Sequence, residues 1–354
     1  MKKAVSLLMA VMLILSLVFT AVSCGRKSDN HQPAAEPVPA EEPVKPEEPV
    51  KPEEPVKPEE PAEDDGLSPL MWRVTDGEGH TLYLFGTIHV GDKRNKTVME
   101  KITPVLDSCD ALAVEFDAVA YAKDTQQMMK DMEQYLLTDG SVVSDYMPEE
   151  LYQRSYELLD RAGLFPGVFS YYNLAWWTQM VDSAMLMVYT DLDSEKAMDS
   201  MLIYHAYDRE MPVLEVESSE FQMSLLNSFD DELYLMMIED ALESAETYGS
   251  DLGELYELWL SGDRDTFWTY LADDESGGDD GDYTEEQIAL LEDYNRKLLD
   301  ERNLGMRDRA MEYLASGKTV FFAVGAAHMA NEAGLVQLLT DAGYAVETVA
   351  YGAG

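Results

Sequence analysis

Two stretches of sequence decide the fold: residues 82–89 read LYLFGTIH, and residues 320–328 read VFFAVGAAH. Each is an apolar run of strand length that ends in Gly-x-x-His. A glycine at a strand end lets the backbone turn sharply, and ligands bind at the carboxyl ends of strands in α/β sheets. We therefore expect His89 and His328 to lie close together, although about 240 residues separate them.

The rest of the chain predicts strands at its ends and helices in its middle. Four further short runs have the composition of buried strands: Leu70–Thr75, Ala111–Phe116, Met211–Val216 and Tyr344–Val349. Long segments with helical spacing separate them: Tyr121–Leu137, Pro148–Ala162, Ser170–Tyr189, Ser194–Arg209, Asp231–Tyr248 and Glu285–Leu314. This order predicts an α/β fold with a mixed central sheet from the N- and C-terminal parts and a large helical middle portion, a subdomain over about 120–310.

Composition excludes some classes of function. The chain has 25 basic and 69 acidic side chains, a net charge of −44. Such a charge repels phosphate backbones and no basic stripe offsets it, so nucleic acid is excluded as a partner. The two cysteines, Cys24 and Cys109, exclude a disulfide scaffold and a Cys-rich zinc site. The chemistry must therefore come from histidines, carboxylates and the backbone.

The first 24 residues have the features of an export signal. Lys2 and Lys3 precede an uncharged apolar run over residues 4–22. This run is also about long enough to be a retained transmembrane helix, and ordinary secretion is a third alternative. Residues 21–24, AVSC, resemble the lipobox of bacterial lipoproteins. The resemblance implies a lipoprotein signal peptide over residues 1–24, lipidation at Cys24, and an anchor on the extracytoplasmic face of the cell membrane.

Residues 25–66 read as a linker rich in Pro, Glu and Lys. The hexamer PVKPEE occurs three times within residues 43–61, a composition that favours extended polyproline II and cannot bury a core. Its reach is roughly 120 Å. Residues 67–354 hold 56 acidic and 18 basic side chains, so a net charge of −38 belongs to the domain. We expect the acidic run Asp273–Asp282 to be an exposed loop, with binding of a divalent ion as the alternative.

A carboxylate is expected beside the two histidines. Glu115 lies at the end of the apolar run at residues 111–116, where an ionised side chain is costly unless it is paired or metal-bound. Two imidazoles and a carboxylate suit a divalent ion with positions left for water, and such an ion can generate a nucleophile near neutral pH. Glu115 could equally be a general base, or a solvent-facing strand-end carboxylate.

An ordered set of short motifs over residues 70–349 resembles the TraB/GumN family. The motifs are GTIHV at 86–90, Glu115, VLE at 213–215, EFQ at 220–222, Arg302 with Asn303, VGAAHM at 324–329 and GL at 334–335. That family includes the membrane-tethered, metal-dependent Tiki peptidases and is related to the erythromycin-esterase and ChaN-like proteins. The resemblance implies an erythromycin-esterase/ChaN-like fold and an extracytoplasmic hydrolase supported by a divalent metal ion, manganese or cobalt.

The resemblance also implies roles for individual residues. His89 and His328 become metal ligands, and Glu115 a ligand or catalytic base. Arg302 would hold a substrate carboxylate or stabilise an oxyanion, with a structural ion pair as the alternative. The motif glycines and four positions with substrate-binding or structural roles complete the set: Gly86, Gly325, Asp199, Glu215, Gln222 and Asn303.

Two classes of function remain open. The first is a membrane-anchored, metal-dependent hydrolase, a peptidase that acts on extracellular peptides or other small molecules. The second is a non-catalytic lipoprotein that binds or sequesters a signalling peptide or a cofactor such as haem. Asn331, where the family usually has a glycine, favours the second class.

Overall fold

The structure is a computed structural model that describes residues 66–276, 283–330 and 333–350. The predicted signal peptide, the lipidation site Cys24, the linker up to residue 65 and Asn331 lie outside these residues. Within them, six strands form one mixed sheet in the order β4-β3-β5-β2-β1-β6. The strands are β1 Met71–Thr75, β2 Thr81–Thr87, β3 Ala111–Val114, β4 Val213–Glu215, β5 Val320–Gly325 and β6 Ala345–Thr348.

The pairing of β2 with β5 positions the site. These strands are parallel neighbours, from Leu82 opposite Val320 to Thr87 opposite Gly325. β3 is parallel to β5 on its other side and to β4 beyond, whereas β1 pairs antiparallel with both β2 and β6. Because β2, β3 and β5 run in the same direction, their carboxyl ends meet at one edge. All six predicted strands are present, and the N- and C-terminal parts share the sheet as expected.

Helices fill the middle of the chain. The helices are α1 Arg94–Leu106, α2 Ala118–Tyr121, α3 Thr125–Glu133, α4 Glu149–Arg161, α5 Pro166–Phe169, α6 Leu174–Tyr189, α7 Met198–Asp208, α8 Ser219–Leu226, α9 Asp231–Glu243, α10 Tyr248–Ser261, α11 Arg264–Ser276, α12 Glu285–Asn295, α13 Glu301–Ala315, α14 Ala327–Ala330 and α15 Leu335–Asp341. No helix among the described residues is long and apolar enough to cross a membrane. The α/β fold with a helical middle is confirmed.

Local capping shortens or divides several predicted helices. The predicted helix Tyr121–Leu137 is interrupted because the Asp124 carboxylate accepts a hydrogen bond from the backbone N–H of Gln127 and starts α3 there. Asn173 caps α6 in the same way, which moves its start from the predicted Ser170 to Leu174. The prediction of a loop at Asp273–Asp282 was wrong for residues 273–276, which form the last turn of α11. Residues 277–282 lie outside the described part.

A long helical segment near the C-terminus carries two site residues. α12 and α13 are joined without a break by a π-turn at Arg296–Asp300. A π-turn inserts one extra residue and so changes which side chains face inward. Directly after it, Arg302 and Asn303 are both buried. The π-turn thus lies where the helix must direct two consecutive polar side chains into the protein.

Candidate functional site

His89, Glu115 and His328 meet at the carboxyl edge of the sheet. A Cβ atom placed on Gly325 would lie 3.9 Å from His89 Nε2, 3.4 Å from Glu115 Oε1 and 3.5 Å from His328 Cδ2. All three side chains are buried. The convergence predicted from the paired Gly-x-x-His motifs is therefore present, and Gly325 leaves free space at its centre.

The first motif glycine has a different role. A Cβ atom on Gly86 would lie only 3.0 Å from Ala326 Cα and 3.1 Å from Ala326 Cβ. The Gly86 carbonyl also accepts a hydrogen bond from the Trp259 indole N–H at 2.8 Å. Gly86 is needed so that the β2 end can pack against the turn after β5, which brings the two histidines together.

Asp199 fixes the orientation of His89. His89 Nδ1 and Asp199 Oδ2 are 3.0 Å apart, and the Thr87 hydroxyl donates to Asp199 Oδ1 at 2.6 Å. Asp199 lies in the first turn of α7, and no side chain caps that helix. Asp199 therefore does not cap α7, and its carboxylate holds the imidazole instead.

Asn303 holds the second histidine. His328 Nδ1 and Asn303 Oδ1 are 2.7 Å apart. The Asn303 amide Nδ2 donates to the Ala333 carbonyl at 3.0 Å. Because that amide nitrogen is committed to Ala333, Oδ1 faces His328 and accepts its Nδ1–H.

The surroundings give the two imidazoles different proton affinities. Burial and the positive charge of Arg302 lower the pKa of His328 to about 3, so His328 is neutral near pH 7. Burial also acts to lower the pKa of His89, but the Asp199 carboxylate outweighs burial and the net shift is upward. Neutral His328, with its proton on Nδ1, presents an unprotonated Nε2. Within the described residues, neither Nε2 atom has a hydrogen-bond partner.

Glu115 is held on both carboxylate oxygens. Its Oε1 accepts from the Gly325 backbone N–H at 2.9 Å. Its Oε2 accepts from Arg302 Nη2 at 2.6 Å and from Gln222 Nε2 at 2.9 Å. Burial acts to raise the pKa of Glu115, but Arg302, followed by His328 and His89, holds it well below its usual range. Glu115 is therefore a carboxylate at neutral pH with a fixed orientation.

A second glutamate, which the sequence analysis missed, shares these partners. Glu217 accepts from Arg302 Nε at 2.9 Å, from Arg302 Nη2 at 2.8 Å and from Gln222 Nε2 at 2.8 Å. Arg302 thus bridges two buried carboxylates, which corresponds to its alternative role as a structural ion pair. The only sequence signal was the position of Glu217 directly after a short strand, two residues beyond the motif residue Glu215.

Glu215 does not join this group. Its Oε1 accepts from the Asp117 backbone N–H at 2.9 Å. Both residues line a separate cavity of about 360 Å³ beside the ends of β3 and β4, and Asp124 and Glu220 also contribute to its wall. Of the predicted site residues, Glu215 is thus the one that lies apart, in an acidic surface cavity.

The arrangement fits a metal ion in part. Each histidine presents Nε2 while a carboxylate or amide oxygen holds its Nδ1, which is typical of metal-binding histidines. Glu115, in contrast, has both oxygens engaged. No group of three or more His, Cys, Asp or Glu side chains in the described ranges is arranged to hold a metal ion. The geometry therefore offers two nitrogen ligands, and the predicted three-ligand set requires Glu115 to exchange a partner.

Comparisons with known proteins identify the family. The chain is 26% identical over 267 residues to the uncharacterized protein YbaP of Shigella flexneri, which covers 74% of this chain and 89% of YbaP. It is 25% identical over 261 residues to YbaP of Escherichia coli (strain K12), covering 73% of this chain and 87% of that protein. No solved structure gives a significant match. The TraB/PrgY/gumN family profile matches residues 70–348, which include every residue of the site, and the chain belongs to that family.

Proposed function

We propose that this protein is a metal-dependent hydrolase, a peptidase that acts outside the cell membrane while anchored through Cys24. The observation that carries the proposal is the pair of buried imidazoles that border the space at Gly325, His89 with Nε2 and His328 with Cδ2, while their Nδ1 atoms are held by Asp199 and Asn303. Histidines whose Nδ1 atoms are fixed by an oxygen partner while Nε2 is left open are typical of metal-binding sites. This arrangement is expected where a ligand or an ion completes it.

His89 and His328 would hold a divalent ion, manganese or cobalt, through their Nε2 atoms. When bound, the ion would polarise a carbonyl and lower the pKa of nearby water. The residues of the chain would then position the ligands of the ion and shield the site from solvent. Asp199 and Asn303 keep the two rings in place, and the buried setting excludes bulk water, which strengthens every charge interaction.

The surroundings of Glu115 favour one of its two expected roles. A general base works best with a pKa near the working pH. Arg302 and the two histidines instead hold the pKa of Glu115 well below its usual range. We infer that Glu115 serves as a fixed negative charge or as a ligand after exchange of a partner, and that it does not remove a proton near pH 7.

Incubation of the full chain with a peptide library tests the proposal. Products are identified by mass spectrometry with added manganese or cobalt and with a chelator. We expect the wild type to cleave at least one peptide and the chelator to abolish this cleavage. The variants His89→Ala and His328→Ala should each be inactive. His205→Ala is the matched control, because His205 pairs with Asp107 outside the site and should keep full turnover. Turnover that survives in both site variants would contradict the assignment.

The membrane anchor is tested separately. If Cys24 carries a lipid, the full chain fractionates with membranes and Cys24→Ser does not, provided that export is retained. The opposite result, with Cys24→Ser still bound to membranes, would favour a retained transmembrane helix over residues 4–22.

The engagement of Glu115 favours a second candidate function. Both Glu115 oxygens are bound, to Arg302, Gln222 and the Gly325 N–H, so Glu115 is not a free carboxylate. A protein that captures a peptide without cleaving it needs no such group. This function predicts a stoichiometric peptide complex and no product in the same incubation, so mass spectrometry distinguishes the two.

A further inference from the structure

Two buried carboxylates beside the histidines share the same two donors. Arg302 Nη2 donates to Glu115 Oε2 at 2.6 Å and to Glu217 Oε2 at 2.8 Å. Gln222 Nε2 donates to the same two oxygens, at 2.9 Å and 2.8 Å. The oxygens therefore lie within two hydrogen-bond lengths of each other. Only 7% of the Glu115 side chain and 9% of the Glu217 side chain are exposed, so water screens little of the repulsion between them.

The two glutamates are not held equally. Glu217 binds the guanidinium of Arg302 with both oxygens, Oε1 from Nε at 2.9 Å and Oε2 from Nη2 at 2.8 Å. Glu115 receives one hydrogen bond from the same group. A bidentate pair of this kind is stronger and more directional than a single bond. Glu217 is therefore the main partner of Arg302, and Glu115 is the carboxylate that can leave.

The two oxygens of Glu115 differ in what their release would cost. If Oε2 leaves, Arg302 and Gln222 both remain bound to Glu217, so neither donor loses its last acceptor. If Oε1 leaves, the Gly325 backbone N–H loses the acceptor to which it donates at 2.9 Å. A buried donor without an acceptor is costly, so release of Oε2 is the easier exchange.

Glu115 borders the space in which a released carboxylate oxygen would find a new partner. From a Cβ atom placed on Gly325, Glu115 Oε1 is 3.4 Å away and His89 Nε2 is 3.9 Å away. While Glu115 stays bound to Arg302, no three His, Cys, Asp or Glu side chains in the described part of the chain are arranged to hold a metal ion. Release of Oε2 would add a carboxylate ligand to the two histidines, a set that suits a divalent ion.

We propose that Glu217 is a positioning residue of this site: it retains Arg302 and Gln222, so that Glu115 can release them and bind a divalent ion together with His89 and His328. The proposal rests on the proposed function, because it explains how that site admits its ion. Glu217 acts only through Glu115. Without the Glu217 carboxylate, Glu115 would have to stay on Arg302, since its release would leave a buried guanidinium without a counter-charge.

Titration of cobalt into the metal-free full chain tests the proposal without turnover. Calorimetry and cobalt absorption are compared for the wild type, Glu217→Gln, Glu115→Gln and the double variant. We expect each single variant to bind cobalt at least tenfold more weakly than the wild type. The double variant should bind within twofold of Glu115→Gln, because Glu217 has no effect once Glu115 cannot act as a ligand. The absorption spectrum of Glu217→Gln should match that of Glu115→Gln, since both lack the carboxylate ligand.

Two further variants separate this role from a plain effect of charge. Glu215→Gln removes a nearby negative charge whose Oε1 accepts from the Asp117 backbone N–H outside the site, and it should bind cobalt within twofold of the wild type. Glu217→Asp keeps the charge but shortens the side chain that pairs with Arg302. It should weaken cobalt binding severalfold, and this loss should also vanish in the Glu115→Gln background. Glu217→Asp also supplies the test if Glu217→Gln does not fold, which thermal unfolding of each metal-free variant checks.

The outcomes distinguish this proposal from the proposed function. If the wild type binds cobalt but the losses in Glu217→Gln and Glu115→Gln multiply in the double variant, the role of Glu217 is overturned and the metal site stands. A wild-type cobalt spectrum in Glu217→Gln has the same meaning. If the wild type binds no cobalt, the metal site and the role of Glu217 are both overturned. In the metal-free chain, Glu217→Gln should lower the unfolding temperature more than Glu115→Gln, and the reverse order would show that Glu115 is the main partner of Arg302 and overturn the proposal.

Discussion

The substitution Gly325→Ala should separate activity from stability. The added methyl group would lie 3.4 Å from Glu115 Oε1, 3.5 Å from His328 Cδ2 and 3.9 Å from His89 Nε2. These are ordinary contact distances, and the backbone of Gly325 is outside the positive-φ region. The fold should therefore accept the methyl group, and loss of glycine entropy in the unfolded chain should add about 0.4–1 kcal/mol of stability.

The same methyl group should block the reaction centre. A reacting atom must approach its catalytic groups to about 3 Å, and the methyl occupies the space that the three side chains share. A displacement of about 1 Å can cost on the order of 100-fold in rate. We expect kcat per folded molecule to fall about 100-fold while the unfolding temperature is unchanged or higher.

Two other glycines provide matched controls. Gly86→Ala would place its Cβ 3.0 Å from the Ala326 backbone, and this overpacking should cost about 1–3 kcal/mol. Gly305 lies in α13 with no atom within 4 Å of its Cβ position, so Gly305→Ala should add about 0.5–1 kcal/mol and leave turnover unchanged. The assays are urea unfolding and turnover of the peptide that the wild type cleaves, with the absorption of bound cobalt as a second measure of the site. Full turnover and unchanged cobalt absorption in Gly325→Ala, or a stability loss of about 2 kcal/mol or more, would refute the reasoning.

Three further variants test the buried charged and polar side chains. Arg302→Met should reduce the free energy of unfolding by about 3–5 kcal/mol, because it leaves Glu115 and Glu217 buried without their shared cation; a loss below about 1 kcal/mol in urea unfolding would show that the pairing matters little. Tyr248→Phe should raise the unfolding free energy by about 1–3 kcal/mol, since it removes a buried hydroxyl without a partner, and a clear loss in the same assay would mean that the hydroxyl is satisfied. Burial raises the pKa of Asp182 to about 8, so between about pH 4 and pH 8 the folded chain binds a proton that the unfolded chain has lost. The wild type should therefore lose stability relative to Asp182→Asn as the pH rises from 5 to 8 and level off above that, which thermal unfolding at several pH values measures. A pH-independent difference would contradict the raised pKa.

Local sequence patterns predicted the sheet well. Each strand is a short apolar run. The strand before His328 is buried along its whole length and the strand before His89 along most of it, so both have a nearly continuous apolar sequence. A glycine three residues before a histidine is also a local feature. Together these features predicted the sheet edge at which the site lies.

The partners of the site residues could not be predicted in the same way. Glu217 and Thr87 became part of the site through the pairing of distant segments. Glu217 lies outside the quoted motifs, and nothing in the motif GTIHV at 86–90 indicates that the Thr87 hydroxyl binds Asp199. Asp199 and Asn303 matched family positions, yet their contacts with His89 and His328 depend on how α7 and α13 pack over the sheet. Such contacts arise from long-range packing, which a single sequence does not encode in any local pattern.

The balance of charge around the histidines supports the metal proposal independently of their geometry. Three carboxylates, Asp199, Glu115 and Glu217, lie in one group of contacts, and among the described residues Arg302 is the permanent cation that binds two of them. With His328 neutral near pH 7, the group is negative whether or not His89 carries a proton. Excess buried negative charge is costly unless a cation offsets it. A divalent ion at the two Nε2 atoms would bring the group close to neutrality. The histidines would then supply the ligands, and the excess negative charge of the carboxylates would attract the ion.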